Sequence, residues 1–190
     1  MQSRAPLSGI RVLELGSFIA GPYCGQLLAD YGAEVIKVEP PREGDAMRRW
    51  GVALDQGRSL WWPVIARGKK SVTVDLRRPE GQELIRRLAD RCDVLVENFR
   101  PGTLEGWGLG PDVLLERNPA LVYVRISAFG QTGPYRDRPG FGAVAEAMGG
   151  LRYLVGYPDR PPPRFGISIG DTLAGLFGAL GALLALRERE

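Results

Sequence analysis

Apolar positions along this chain switch repeatedly between two periods. Ile10–Leu15 (IRVLEL) is a short β-type run. In the segment that follows, Cys24, Leu27, Leu28 and Tyr31 recur at helical spacing. Pro22 suits a first helical turn there, and Gly32 suits a C-terminal cap. Ala33–Glu39 (AEVIKVE) is the next strand. A strand, a helix and a strand within about thirty residues form a βαβ unit, which implies a parallel sheet and a right-handed crossover. Ser71–Leu76 alternates and is β-branched, so a third strand is predicted. Residues 78–92 then form an amphipathic helix with Leu84, Ile85, Leu88 and Ala89 inward. Asp93–Asn98 is near-continuously apolar, as buried parallel strands are. Pro111–Arg117 predicts a short helix and Ala120–Phe129 a further strand. Residues 141–150 predict another short helix, closing at Gly149 and Gly150, and a last, apolar helix begins near Asp171.

One stretch breaks the alternation. Pro40–Lys70 is rich in Pro, Gly, Arg and Trp and only weakly periodic, so it reads as a long functional loop with a short helix around Ser59–Ile65. Elsewhere the order of elements predicts an α/β, doubly wound, mostly parallel and Rossmann-like sheet of about five strands. A length of 190 residues suits one domain, residues 1–190, with a real core. Ligands of such sheets bind outside the C-terminal ends of the strands, which singles out the loops after Leu15, Glu39, Leu76, Asn98 and Phe129.

Charge and composition narrow the chemistry. Lys and Arg total 25 against 22 Asp and Glu, and the two signs are interspersed. That mild excess, without a basic block, argues against nucleic acid and suits a local anionic ligand such as a phosphate. The chain has no histidine, which removes His-based triads, His metal sites and imidazole acid–base catalysis. Cys24 and Cys92 have no metal-ligand spacing and read as free thiols of a reducing, cytoplasmic environment. The first fifteen residues lack the apolar core of a signal peptide. The apolar run Leu173–Leu186 is shorter than the ~20 residues that span a bilayer, so a buried helix and no membrane association is expected.

Four motifs sit where ligands would. Residues 14–25 (ELGSFIAGPYCG) follow a strand and open a helix, but Gly16, Gly21 and Gly25 match neither a dinucleotide fingerprint nor a phosphate-binding loop. Close approach of an anion to backbone amides and a plain tight turn are both open. Arg77, at the end of a strand, can meet a phosphate or simply be solvated. Asn98, Phe99 and Arg100 follow a buried strand, where an amide and an aromatic ring can hold a base or a pantetheine arm, or form a turn with a core Phe. Asp171 precedes the last apolar run. It can cap that helix by accepting a hydrogen bond from the amide of Leu173 or Ala174. It can equally be a carboxylate kept ionised by the helix dipole, able to attack an activated carbonyl in a site where Gly170 and the apolar helix limit water.

Taken in order, LSGIRVLELGSFIAGPYCGQLLADYGAEVIKVEPP, GDAMRR, GKKSVTVDLRRPEG, DVLVENFRPG, LVYVRISAFGQTGPYRDRPGF and GISIGDTLAGL closely resemble the family III coenzyme A transferases. The resemblance runs from Leu7 onward. It implies transfer of CoA from an acyl-CoA to a free carboxylic acid, with CoA as substrate and no permanently bound cofactor. Asp171 stands where the family's nucleophilic aspartate stands. The resemblance further implies CoA contacts at Ile19 and Ala20, at Val74, Asp75, Leu76 and Arg77, and at Asn98, Phe99 and Arg100. Pro139, Gly140, Phe141 and Gly142 would border the acyl pocket. Many relatives carry an acid where this chain has Gly142.

Family members run to roughly twice this length, so residues 1–190 resemble the N-terminal half: a truncation, a fragment or a split subunit. Full-length relatives form interlocked homodimers, so a second copy or a missing C-terminal half is the implied partner. Two other readings stand beside transfer. The related 2-methylacyl-CoA racemases pair a histidine with the aspartate, where this chain has Phe141–Gly142. A catalytically inert CoA-binding half-protein is the second.

Overall fold

A computed structural model describes residues 5–53 and 59–189. Five strands form a single parallel sheet: β1 (Arg11–Glu14), β2 (Glu34–Glu39), β3 (Lys69–Thr73), β4 (Val94–Glu97) and β5 (Val122–Arg125). Their order across the sheet is β3-β2-β1-β4-β5. The chain therefore reverses its direction of travel at the β1/β4 pair, which is the switch point where doubly wound sheets open a crevice for ligands. The expected fold class is what the chain adopts.

Successive strand residues feed opposite cores, as the pleat requires. Val12, Val35, Val94 and Val96 face one side, against Cys24, Leu28, Ala179, Ala182 and Leu186. Those partners come from α1 (Ala20–Asp30) and α7 (Ile169–Arg189). Leu13, Val38 and Leu95 face the other side, against Ile85, Ala89, Leu104 and Leu114. These come from α3 (Pro79–Ala89), α4 (Thr103–Gly106) and α5 (Pro111–Arg117). Two further helices, α2 (Trp61–Ile65) and α6 (Gly142–Met148), lie in the connections after β2 and β5.

Several local expectations are met by the backbone. Pro22 lies in the first turn of α1, and Gly32 just beyond its end has φ +99°. Gly149 caps α6, and Gly150 has φ +77°. Residues 54–58 of the long loop lie outside the described residues; α2 occupies most of the short helix expected near Ser59–Ile65.

Others need correction. Leu84 of α3 is 42 % exposed rather than inward, because Gly81, Ile85 and Ala89 carry the buried stripe. β3 begins at Lys69, two residues earlier than the hydrophobic pattern indicates. Its first position is charged but not solvated, since the Lys69 ammonium is buried against Glu14. The last helix starts at Ile169, so Asp171 stands inside its first turn instead of capping it. The turn is closed through Ser168, whose carbonyl accepts from the amide of Thr172.

α7 has 21 residues, including Leu173–Leu186, and is long and apolar enough to cross a membrane by length and composition. Its two faces differ. Gly175, Ala179, Ala182 and Leu186 are buried. Leu173, Leu176, Phe177, Leu180 and Leu184 form an exposed stripe at helical spacing.

Candidate active site

The site is built by how closely α7 can approach α1. A Cβ at Gly175 would come within 2.6 Å of the Ala20 carbonyl oxygen, and one at Gly178 within 2.9 Å of Ile126. Gly175 thus lets α7 meet the backbone of α1, while Gly178 makes room for the Ile126 side chain. Asp171 lies four residues before Gly175, on the same helix face. The contact therefore carries its carboxylate to the C-terminal edge of the sheet, beside the start of α1.

There Asp171 lines a cleft of about 310 Å³ with Ser17 and Phe18 from the loop after β1, Ala20 at the start of α1, Asn98, Phe99 and Arg100 from the loop after β4, and Gly140, Phe141 and Gly142 leading into α6. A second cleft of about 370 Å³ lies over the ends of β1, β2 and β3, lined by Val38, Pro40, Val74, Asp75, Leu76, Arg77 and Trp107. Ser17 and Phe99 belong to both. The two clefts are thus adjoining parts of one groove along the strand ends. Phe99, packed edge-on against Trp107 with ring centroids 5.6 Å apart, stands at the junction.

Most of the residues singled out from the sequence converge on this groove. Ile19 and Pro139 do not line it. Ile19 is buried against Met47 and Ile65 beneath the first loop, and Pro139 is exposed beside Gly140. Asn98 has a more specific task than contact. Its side-chain oxygen accepts from the Ser17 amide at 2.8 Å and its side-chain nitrogen donates to the Ser17 carbonyl at 2.9 Å. Added Cβ atoms at Gly16 and Gly21 would meet that Asn98 oxygen at 2.8 and 3.0 Å. The glycines of this turn thus make room for a side chain that locks the loop after β1 to the loop after β4. Arg77 pairs with Asp75 at the surface, Nε to Oδ1 2.9 Å.

Asp171 is half buried, and among the described residues its carboxylate has no hydrogen-bond or ion-pair partner. Burial pushes its pKa up; the charge of Glu146 adds to this and that of Arg164 opposes it. The net shift is upward, so burial here does not favour the ionised form that a helix N-terminus alone would favour. A carboxylate with few groups stabilising its charge is a stronger nucleophile than a well-solvated one. Gly142 explains how it stays unobstructed: a Cβ there would lie 2.6 Å from Asp171 Oδ2. Gly170 also meets the Gly142 backbone closely, with its Cβ position 3.0 Å from Gly142 Cα. The cysteines are poor rival nucleophiles. Burial pushes Cys24 up to about 12, helped by the charge of Glu14, and pushes Cys92 up to about 11.

Sequence reasoning missed the support of the first loop. Lys37 is fully buried and donates to Glu14 Oε1 at 3.0 Å and to the Gly16 carbonyl at 2.9 Å, and it pairs with Asp45 Oδ2 at 2.8 Å. Lys69 pairs with Glu14 Oε2 at 2.7 Å. Asp45 Oδ1 in turn accepts from the amides of Met47 and Phe18. Phe18 has φ +61°, which is costly for an aromatic residue, and the strain is held by these contacts beside Asp171. The available signal was a charged residue in the middle of each of two buried strand patterns, Glu14 and Lys37.

Residues 7–190 match the model of CoA-transferase family III. The chain belongs to that family. It is 65 % identical over 185 residues to a succinyl-CoA–D-citramalate CoA-transferase of Chloroflexus aurantiacus, covering 97 % of this chain and 46 % of that protein. It is 51 % identical to the beta subunit of a succinyl-CoA–L-malate CoA-transferase of the same organism, again over 97 % of this chain and 46 % of the relative. Among solved structures, a CAIB/BAIF family protein from Brucella suis superposes with a TM-score of 0.92 at 42 % identity, covering 98 % of this chain and 50 % of that one. The chain spans about half the length of the curated relatives it matches.

Proposed function

We propose that this chain contributes the nucleophile and the CoA groove of a CoA-transferase that moves CoA from a succinyl-type acyl-CoA to a second carboxylic acid. The observation that carries this reading is Asp171: a half-buried carboxylate, unpartnered among the described residues, in a groove that reaches the ends of all five strands. The membership of the chain in its family and the names of its relatives supply the substrate class.

The nucleotide end of CoA lies over β2 and β3, near Leu76 and Arg77, and the pantetheine arm passes Ser17 and Phe99 toward Asp171. An Asp171 oxygen attacks the thioester carbonyl carbon; the C–S bond breaks and CoA leaves as thiolate, giving a mixed anhydride. The thiolate attacks the aspartyl carbonyl and expels the donor acid as its carboxylate, giving an aspartyl-CoA thioester. The acceptor carboxylate attacks that carbonyl, forming a second anhydride and freeing the thiolate again. The thiolate finally attacks the acceptor's acyl carbon and releases Asp171. No step consumes a proton or an external energy source, so the protein's task is positioning and charge stabilisation.

The exposed stripe on α7, including Phe177 at 65 % exposure, supports assembly of this portion with a second copy or with the rest of a longer chain. The test is chemical trapping in the native-length protein. Incubation with succinyl-CoA followed by hydroxylamine should yield a hydroxamate on Asp171 by mass spectrometry. Asp171→Ala should retain CoA binding and lose the adduct. Undiminished transfer by Asp171→Ala contradicts the proposal.

A further inference from the structure

Two residues mark the place where the halves of the groove meet. Among the described residues, Ser17 and Phe99 alone line both the Asp171 cleft and the cleft over the ends of β1, β2 and β3. Phe99 gives this passage an apolar wall. Its amide already donates to Glu97 Oε2 at 2.7 Å, and its ring packs edge-on against Trp107. Polar contact in the passage therefore falls to Ser17.

Ser17 is fixed through its backbone and free at its side chain. Its amide donates to Asn98 Oδ1 and its carbonyl accepts from Asn98 Nδ2. On one side the Gly16 carbonyl accepts from Lys37 Nζ at 2.9 Å, and on the other the Phe18 amide donates to Asp45 Oδ1 at 3.3 Å. Three consecutive residues are thus anchored by side chains from β2, from the loop after β4 and from the loop after β2. The Ser17 hydroxyl has no hydrogen-bond partner among the described residues. The other serine of the Asp171 cleft differs. The Ser127 hydroxyl donates to the Gly130 carbonyl at 2.9 Å and accepts from Gln131 Nε2 at 3.1 Å. A hydroxyl can both donate and accept. One held in place beforehand suits a flexible ligand that carries amides between apolar segments, because little further ordering of the protein is needed. The pantetheine arm of CoA is such a ligand, with two amides joined by methylenes.

We propose that the Ser17 hydroxyl hydrogen-bonds an amide of the pantetheine arm where the arm passes between the two clefts, and that Asn98 is the positioning residue that holds it there. The proposal rests on the placing of CoA in this groove. It gives Asn98 an indirect role in place of the expected contact with CoA. It also moves the contact of the first loop from Ile19, which is buried against Met47 and Ile65, to Ser17.

The test separates the arm from the nucleotide by calorimetry on the native-length protein. Adenosine 3′,5′-bisphosphate has the nucleotide end of CoA and no arm. Ser17→Ala should weaken CoA binding about 10-fold, as expected for one neutral hydrogen bond, and leave the binding of adenosine 3′,5′-bisphosphate unchanged. Ser17→Thr keeps a hydroxyl and should restore most of the affinity. Asn98→Ala should give the same selective loss. Adding Ser17→Ala to it should then cost less than about 3-fold more, because a hydroxyl that is no longer held has little left to lose. Undiminished CoA binding by Ser17→Ala, or equal losses for CoA and the bisphosphate, overturns the proposal. Full additivity of the two changes overturns the positioning role of Asn98. If the selective loss is seen but succinyl-CoA leaves no adduct on Asp171, the acylation reading fails and the arm contact stands. If the unaltered protein binds neither ligand, the placing of CoA in the groove fails and the arm contact falls with it.

Discussion

Two groups of carboxylates lie within the same end of the molecule and behave in opposite ways. Beneath the first loop, Glu14 and Asp45 are almost fully buried, yet each faces a lysine ammonium within 3.0 Å. Lys37 sits between them; burial alone would lower its pKa, but the two carboxylates raise it above the ordinary lysine value. Lys69, beside one carboxylate and a second lysine, is lowered by burial. Asp171 is less buried and has no such partner among the described residues. On the proposed mechanism the difference separates scaffold from chemistry: a paired carboxylate is held in place, while an unpaired one in a cleft is open to a substrate. Burial by itself does not distinguish them. The supply of countercharge does.

The contrast breaks most sharply at Asp171. Asp171→Asn should lower transfer by more than about 10³-fold, since the reacting oxygen is lost. The same change should leave the melting temperature at pH 7 equal or higher. The sign follows from the raised pKa: above it, the folded protein bears the cost of a poorly solvated charge, and asparagine removes that cost. Below the ordinary carboxylate range both forms are neutral and the advantage should vanish. A large fall in melting temperature at neutral pH would place Asp171 with the scaffold.

Lys37→Met tests the other group. It leaves Glu14 and Asp45 buried with less countercharge and should cost about 3–5 kcal/mol in chemical denaturation. A loss below about 1 kcal/mol would mean that the network is dispensable.

Gly142→Ala puts a methyl group where Asp171 Oδ2 now lies within 2.6 Å. A displacement of the nucleophile by even a fraction of an ångström should reduce turnover by about 10–100-fold, with CoA affinity little changed. Equal losses of turnover and affinity would point to collapse of the groove instead.

Glu39 gives the smallest effect. Burial acts to raise its pKa, but hydrogen bonds from Arg48, Ser71 and the Asp45 amide bring it down to about 2. Its contribution to stability is therefore present above the ordinary glutamate value and lost as pH falls through about 2. Glu39→Gln should destabilise at pH 7 and be nearly silent at pH 2, read from melting curves; a deficit equal at both values would show that packing, not charge, carries the loss.

Much of this was legible in the residues. Period-2 and period-3.6 apolar patterns, punctuated by Pro22, Gly32 and the Gly149–Gly150 pair, located the five strands and most of the helices, because local sterics and amphipathic burial act on neighbours in the chain. The ordered motifs also marked the groove, since strand ends in a doubly wound sheet are sites by topology. Less was visible where one residue's environment is made by others far away. The burial of Lys69 and Lys37 comes from Glu14 and Asp45, which arrive from other elements. Leu84 looks buried and is not, because the packed stripe of its helix runs through Gly81, Ile85 and Ala89 instead.

The sequence by itself determined the alternation of elements, the parallel sheet and the chemical types available: no imidazole, two thiols and one carboxylate at the start of an apolar helix. Only the tertiary structure decided which carboxylate is free. Gly175 meeting Ala20, and Gly142 meeting Gly170, bring Asp171 to the strand ends across more than a hundred residues of chain. The reactivity proposed for Asp171 depends on its carboxylate having no ion-pair partner among the described residues, a property of three-dimensional surroundings that no local pattern encodes.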